Sequence, residues 1–480
     1  MVLVILLAVI IMLVCGVALA PRDGAGHRPL ISAYNVTLAL FAIYAVLPAG
    51  LILANDYKYV WASAYGGEER FTSTLVIISL GLFFYLLSFH TVWHGRRNVI
   101  NEASSAARPR DVSIAVLLAF IAVGLLLKLY LVYSTGGIDA TIARLSGAVQ
   151  SSTRVEDLTS AQLGIRTLSG IADAGAVYLL IQALRDKKHV ALSTLVFTAV
   201  FILSFMTMGK RLSLIIPALA VLLAIHSYWR PITTRFAPFA ILGALALGMT
   251  TLLTRILVPA SQSGTVVNFD KIPYAEGSIF RFYFYSLEFS SVEMMTVTQV
   301  SRENITAMFG GAWETLVQTN ITPILFTIPR AIWPGKPTEI YDVSYAVSST
   351  LDGTKLAPND VGYASTYIGT SYIFAGIVGV VLASALLGWI SARVDMAFTR
   401  RLTSPVSIIF YALMITITFH AFRQGTVGWT FIVSIIQQYG LVLGVLAITL
   451  FGHDRPHRDT SEPQLPEILQ SDLKAKRKNV

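Results

Sequence analysis

The chain has 480 residues, of which 55% are hydrophobic and only 13% are charged, and its formal net charge is +9. This composition excludes an ordinary soluble protein and predicts an all-α polytopic membrane protein. We do not interpret the positive charge as nucleic-acid binding, because no basic segment is long enough to form a soluble domain. The single cysteine, Cys15, excludes internal disulfides and a cysteine-based metal site. No Walker loop or dinucleotide fingerprint is present, which argues against ATP-driven pumping by this chain.

Long apolar runs predict about eleven transmembrane helices, since each run is long enough to cross a bilayer. The first run looks like a secretory signal ending at Ala20, but it has no basic leader and Pro21 follows, so we interpret it as a retained helix. In chain order the predicted spans lie near residues 1–20, 30–54, 71–93, 112–133, 165–184, 190–208, 212–229, 237–258, 362–389, 405–422 and 428–450.

The distribution of basic residues between the loops predicts the orientation. One set of alternate loops carries fourteen Lys and Arg against five Asp and Glu: residues 21–29, 94–111, 185–189, 230–236 and 391–404. The other short loops carry seven against six: residues 55–70, 134–165, 206–211 and 423–427. The positive-inside rule therefore puts the first set in the cytoplasm and the N-terminus outside.

Four regions follow from this layout. We expect eight transmembrane helices in residues 1–258 and a long, structured extracytoplasmic loop in residues 259–361. Three further transmembrane helices are expected in residues 362–452 and a disordered cytoplasmic tail in residues 453–480. The basic end of that tail favours contact with anionic membrane lipids.

The long outer loop contains two helical stretches. Residues 279–302 form an aromatic-rich pattern in which Arg281, Glu288, Gln299 and Arg302 share one stripe, so this helix is predicted to lie flat on the outer leaflet. Residues 313–332 are apolar but interrupted by prolines, which favours a re-entrant or interfacial element. In the following span, glycines at 362, 369, 376 and 379 are predicted to lie along one helix face that permits close packing.

Several cations are assigned to the outer membrane face. Ionised groups near hydrocarbon cost at least ~2.5–3.5 kcal/mol at a helix centre, so they usually face a cavity or a partner. A cluster of cations is stable around a diphosphate, which accepts paired hydrogen bonds from Arg and a compact charge from Lys. The alternative is that each one anchors a helix at the headgroups. The candidates are Lys210, Arg211, Arg255, Arg281, Arg330, Lys336 and Arg423.

A transfer reaction also needs a base, and the sequence leaves its identity open. His420 is the histidine assigned close to the outer face, on the same helix face as Arg423, although a hydrogen-bonded core histidine is an equal alternative. The carboxylate alternatives are Glu288, Glu293, Glu314 and Asp360, of which the last is also suited to capping a helix. Aromatic residues that are candidates for stacking on sugars are Trp313, Trp333, Tyr285 and Tyr341.

Three segments resemble bacterial oligosaccharide repeat-unit polymerases of the O-antigen polymerase (Wzy) type. They are Tyr133–Ile138, with its Gly-Gly-Ile turn, Met208–Ser213, which contains Lys210 and Arg211, and Ile328–Pro337, whose Pro-Arg, Trp-Pro and Lys-Pro pairs are the most specific. The resemblance implies a multi-pass glycosyltransferase of the bacterial cytoplasmic membrane, with its active site facing the periplasm or exterior.

By the same resemblance, the donor and the acceptor are glycans linked to undecaprenyl pyrophosphate, and neither a metal nor a cofactor is needed. Lys210 or Arg211, Arg330 and Lys336 would bind the diphosphate. The resemblance allows a chain-length regulator as a further partner and implies no nucleic acid.

Three alternatives remain at this stage. An O-antigen ligase uses the same donor with another acceptor, and a polysaccharide or lipid transporter also needs a basic cavity. The absence of paired repeats argues against the transporter. Sequons at Asn304 and Asn320 keep open a glycosyltransferase of the eukaryotic secretory pathway.

Overall fold

The computed structural model describes residues 1–21, 29–54, 67–95, 112–134, 136–137, 160–208, 212–233, 236, 291–325, 333–335, 343–352, 366–398, 404–425 and 440–450. Within these residues the regular structure is helical, apart from one isolated β-bridge between Pro29 and Thr233. The predicted span at 237–258, the outer loop before residue 291 and the tail 453–480 lie outside the described residues.

Eight described helices precede the gap that begins after residue 236. The first four are α1 (Val2–Ala18), α2 (Ala33–Ala54, with a π-helical segment at Ala42–Val46), α3 (Gly67–Gly95) and α4 (Ile114–Ser134). The next four are the short α5 (Ser160–Leu168), α6 (Ile171–Asp186), α7 (Val190–Met208) and α8 (Leu212–Tyr228).

Six helices are described after that gap. They are α9 (Ser291–Met308), α10 (Ala312–Leu316, continued by a π-helical segment Val317–Ile321 and by Thr322–Leu325), α11 (Val343–Asp352), α12 (Thr366–Phe398), α13 (Pro405–Gln424) and α14 (Gly440–Leu450).

The helices agree with a polytopic membrane protein. Six described segments are long and apolar enough to cross a membrane, and four shorter apolar helices accompany them. The boundaries of α7 coincide with the predicted span 190–208, because its 19 residues carry no charge and lie between charged segments. The full number of eleven spans stays a prediction.

Two large apolar cores divide the bundle, and a smaller third one joins α9, α11 and the start of α12. The first joins α1, α2 and α3 to α12 and to the start of α9. The second surrounds α6, whose residues 172–181 are all buried, and joins it to α4, α7, α8, α13 and α14. The C-terminal part of α12 and helix α13 contribute to both cores and so hold them together.

One end of the bundle collects segments that were predicted to share the cytoplasmic face. The Leu30 amide donates to the Ile232 carbonyl over 2.9 Å, which joins the start of α2 to the segment after α8. The side-chain amide of Gln182 donates to the Val112 carbonyl over 3.3 Å, which joins the end of α6 to the start of α4. The opposite ends of these helices therefore share the other face.

Asp395 is the polar centre of this end. Its carboxylate accepts the backbone N–H groups of Ala33 and Tyr34 at 2.9 and 3.1 Å, and the Tyr411 hydroxyl at 2.8 Å. It thus caps the N-terminus of α2 from another helix, since the first N–H groups of a helix have no partner within it. Asp395 is only 1% exposed, so these bonds form away from water.

The prediction that residues 279–302 lie flat on the outer leaflet is wrong for the part that is described. Helix α9 begins at Ser291 and packs between α3, α11 and α12, with Val292, Met294 and Val297 fully buried. Buried threonine hydroxyls of this helix find partners inside the protein: the hydroxyls of Thr296 and Thr74 lie 3.0 Å apart. A polar residue in this helix therefore does not by itself mark a face toward water.

We predict that Asp395→Ala lowers the free energy of unfolding by at least ~3 kcal/mol, because two backbone donors and one hydroxyl lose their acceptor in a buried place. Tyr411→Phe removes only one of these bonds and serves as the matched variant, with an expected loss of ~2 kcal/mol. Thermal unfolding in detergent measures both. An Asp395→Ala protein as stable as Tyr411→Phe would contradict the capping role.

Candidate functional site

Helix α12 is broken near its start. Ala375 and Gly376 leave the helical conformation, with φ of −140° and 60° respectively. Beyond the break the chain folds back so closely that the Ser371 carbonyl occupies the place that a Cβ on Gly379 would need. Residues 366–374 are thus a separate short helix, the re-entrant helix. The described glycines of this segment do not share one helix face as predicted, because Gly376 makes the break and Gly379 makes room for the fold-back. Residue 362 lies outside the described residues.

Arg302 of α9 supports this break. Its Nε donates to the Ile373 carbonyl over 3.0 Å, and its guanidinium carbon lies 5.8 Å from the centroid of the Tyr372 ring. Ending a helix inside the bundle leaves carbonyl groups without their i+4 donors, so a side-chain donor at this point lowers the cost. Arg302 acts on the backbone here.

The re-entrant helix begins against the end of α13. Gly425, in the left-handed conformation with φ of 75°, ends α13 and lies directly against the Thr366 carbonyl and the Thr370 hydroxyl. Thr366 itself has a φ of 56°, which is uncommon for a β-branched residue and costs free energy. Tyr367 and Phe422 close the junction, with ring centroids 5.1 Å apart.

His420 and Arg423 lie in the last two turns of α13, at the end of the bundle opposite Asp395. His420 is 6% exposed and packs edge-on against Phe419, with ring centroids 5.2 Å apart. His420 Nε2 and Arg423 Nε are both buried, and among the described residues neither has a hydrogen-bond partner. Buried polar atoms without a partner are costly. The described residues hold five others, Arg393 Nε among them, and the His420 and Arg423 atoms lie within one helical turn of each other.

Helix α8 runs beside α13 in the opposite direction. Its C-terminal end lies at the face of Asp395, so its first residue, Leu212, lies at the same end as His420 and Arg423. The described chain stops at Met208 and resumes at Leu212. The predicted cations Lys210 and Arg211 belong to this three-residue connection, which lies outside the described residues.

Three buried polar residues that sequence reasoning missed lie at the same end. Lys128 Nζ of α4 donates to Asp173 Oδ2 of α6 over 3.0 Å, and the Ser204 hydroxyl of α7 donates to Asp173 Oδ1. Lys128 is fully buried. The signal was available, because Lys128 is the one charged residue of α4 and charges inside spans usually have a function or a partner.

The remaining predicted residues divide into two groups. Glu314 and Trp313 are exposed at the start of α10, with Trp313 65% exposed, and Trp333 is half-buried. Among the described residues, no hydrogen bond, ion pair or ring contact joins any of the three to His420. The other candidates lie outside the described residues: Glu288, Asp360, Lys210, Arg211, Arg255, Arg281, Arg330, Lys336, Tyr285 and Tyr341.

The junction between α13 and the re-entrant helix makes a clear prediction. Gly425→Ala should lower the free energy of unfolding by ~2 kcal/mol or more, because the new Cβ meets Thr370 and Thr366 and the left-handed φ disfavours alanine. Gly50→Ala is the control, since no heavy atom lies within 4 Å of its Cβ position. Thermal unfolding measures the stability of both variants, and equal stability would contradict the close contact.

Comparison with known proteins places the chain in a family. No curated protein and no solved structure matches it. A family model does match, for residues 1–453, and its description is O-antigen polysaccharide polymerase Wzy. The match covers nearly the whole chain, including every described helix, and agrees with the polytopic helical fold. The chain therefore belongs to the Wzy family of O-antigen polysaccharide polymerases.

Proposed function

We propose that this chain polymerises oligosaccharide repeat units carried on undecaprenyl pyrophosphate, at the outer face of the bacterial cytoplasmic membrane. In each cycle the growing glycan leaves its lipid diphosphate and is transferred to the sugar of an incoming lipid-linked unit. Cations at the outer end of the second core stabilise the departing diphosphate.

The observation that carries this proposal is the pair His420 and Arg423. The buried Nε of the half-buried Arg423, which has no partner among the described residues, supports an anion site, because a phosphate oxygen would satisfy that donor and offset the charge. The imidazole of His420 lies one helical turn from Arg423 on the same side of α13. Its Nε2, also unpartnered among the described residues, is suited to receiving a proton.

Chain connectivity adds two further cations at this end. Lys210 and Arg211 lie between Met208 and Leu212, and α8 packs along α13, so the connection belongs to the same end of the bundle as Arg423. Together these residues give a cluster of positive charge that suits a diphosphate. Arg330 and Lys336, which the family resemblance favours, are proposed to complete it from the outer loop.

The chemistry follows from this arrangement. The acceptor hydroxyl oxygen forms a bond to the anomeric carbon of the donor, while the bond from that carbon to the diphosphate oxygen breaks through a transition state with oxocarbenium character. The hydroxyl proton goes to the base, for which we propose His420, and the electron pair stays on the leaving diphosphate. Negative charge on the diphosphate grows along the reaction, so preplaced cations stabilise the transition state more than the bound substrate. The proposal needs no metal.

The family assignment favours a polymerase over the alternatives, and a deletion strain distinguishes all of them. Cells without a polymerase should carry surface glycan capped by a single repeat unit. Loss of a ligase leaves long chains on the lipid carrier and none at the surface, and loss of a transporter traps precursor inside. Gel analysis of surface glycan and of lipid-linked intermediates measures this, and either of the last two outcomes rejects the proposal.

The anion site predicts the effect of single substitutions. Arg211→Ala and Arg423→Ala should each lower the rate of polymerisation by ~10²–10³-fold, because one contact to the leaving group is lost. Lys188→Ala is the matched control: it removes a basic residue at the other end of α7 and should leave the rate unchanged.

Purified protein with lipid-linked repeat units gives the rates, and membrane protein levels show that the variants fold. Normal rates in both arginine variants would remove the anion site from the proposal.

A further inference from the structure

A half-buried arginine near the C-terminal end of α12 has a charge that no described group offsets. Arg393 lies two residues before Asp395, so it belongs to the end of the bundle that is predicted to face the cytoplasm. Its Nε is buried without a hydrogen-bond partner, and Arg393 forms no ion pair among the described residues. Asp395 does not take that role, because its carboxylate accepts from the start of α2 and from Tyr411. The charge of Arg393 therefore needs a counter-charge from outside these residues.

The guanidinium of Arg393 is turned back along α12. Its central carbon lies 5.0 Å from the centroid of the Trp389 ring, which precedes it by one helical turn. Because α12 ends at the face of Asp395, Trp389 lies on the hydrocarbon side of Arg393. An arginine that only anchors a helix end extends its guanidinium toward water, whereas this one stays at the depth of an aromatic ring. The ring stabilises the cation but carries no net charge that would neutralise it.

Trp389 and Arg393 end an exposed stripe of α12. Leu382, Leu386 and Trp389 are 64%, 56% and 43% exposed, and their spacing puts them on one helix face with Arg393. Since α12 is long and apolar enough to cross a membrane, this face is turned toward lipid. From Leu382 to Arg393 the stripe covers about 16 Å, close to the roughly 15 Å of hydrocarbon in one leaflet. The stripe thus has the length of one acyl chain and a cation at its headgroup end.

A lipid phosphate is the anion that fits both halves of this surface. Ionised side chains near hydrocarbon are costly without a partner, and the phosphodiester of a phospholipid lies at the depth where this guanidinium is held. The planar fork of arginine donates paired hydrogen bonds to phosphate oxygens. A soluble phosphate would supply the charge but make no use of the apolar stripe. An anionic phospholipid suits the site better than a zwitterionic one, whose own ammonium group competes for the phosphate.

We infer that Arg393 and Trp389 form a binding site for one anionic phospholipid, in the leaflet at the Asp395 end of the bundle. We call it the Arg393 lipid site. The guanidinium binds the phosphodiester, Trp389 holds the guanidinium at headgroup depth, and an acyl chain lies along the exposed stripe. The site lies at the opposite end of the bundle from His420, and the inference does not rest on the proposed function.

Lipid titration of the purified full chain in detergent tests the site. Native mass spectrometry gives the apparent Kd of the first bound phosphatidylglycerol, with phosphatidylcholine as the zwitterionic comparison. Arg393→Gln should weaken phosphatidylglycerol binding by ~5-fold and leave phosphatidylcholine binding unchanged. Arg393→Lys keeps the charge but not the planar fork, so it should lose only part of the affinity.

Arg185→Gln is the matched control. Arg185 lies at the same end of the bundle, and its Nε is already paired with Asp186 Oδ1 at 2.9 Å. This variant should bind phosphatidylglycerol as the wild type does, and an equal loss in Arg185→Gln and Arg393→Gln would overturn the site in favour of general surface charge. Thermal unfolding in detergent shows whether the variants fold. If Arg393→Gln does not fold, Arg393→Lys decides, since a lysine variant with wild-type affinity overturns binding by the guanidinium fork.

Quenching by brominated lipid locates the bound molecule. The chain has seven tryptophans, so the contribution of Trp389 is the difference in fluorescence between the wild type and Trp389→Phe. Phosphatidylglycerol with brominated acyl chains should quench this contribution more strongly than brominated phosphatidylcholine, and Arg393→Gln should remove the difference. Equal quenching by the two lipids in the wild type overturns the inference. Displacement of phosphatidylglycerol by inorganic phosphate also overturns it, because the site would then be one for a soluble anion.

Discussion

Two buried carboxylates organise the ends of this bundle, because hydrocarbon offers no water to satisfy a polar group. At one end Asp395 accepts the free backbone donors at the start of α2 and the Tyr411 hydroxyl. At the other end Asp173 accepts from Lys128 and Ser204. Each carboxylate joins three helices, so each fixes directions that apolar packing alone leaves free.

At the break in helix α12, the buried backbone also needs a partner inside the protein, and here a cation supplies it. Arg302 satisfies a carbonyl at the break, and six of the nine residues of the re-entrant helix are buried in protein. Backbone at membrane depth outside a regular span requires such burial. The consequence is local: the short helix ends up with Thr366 and Thr370 against Gly425, beside the turns that carry His420 and Arg423. Backbone irregularity in the bundle thus occurs next to the candidate site.

Much of the fold could be predicted from apolar run length, as the match of α7 to residues 190–208 illustrates. The break in α12 could not, because a glycine that permits close packing and a glycine that breaks a helix are the same residue in sequence. Helix α9 was misread for a related reason. Hydroxyls such as Thr298 return to the carbonyl four residues earlier, so a polar side chain can be buried at little cost.

The site was predicted less well than the fold, and the reason is that a cation's role depends on its partner. Lys128 and Asp173 are 45 positions apart, so neither residue alone reveals the pair. With the partners known, different roles can be assigned to three described cations at the end of the bundle that contains His420. Lys128 is offset by a carboxylate and Arg302 by a carbonyl, whereas the Nε of Arg423 has no partner among the described residues. A cation whose charge is already offset by the protein serves the fold, and one that is not is the better place to look for an anionic substrate.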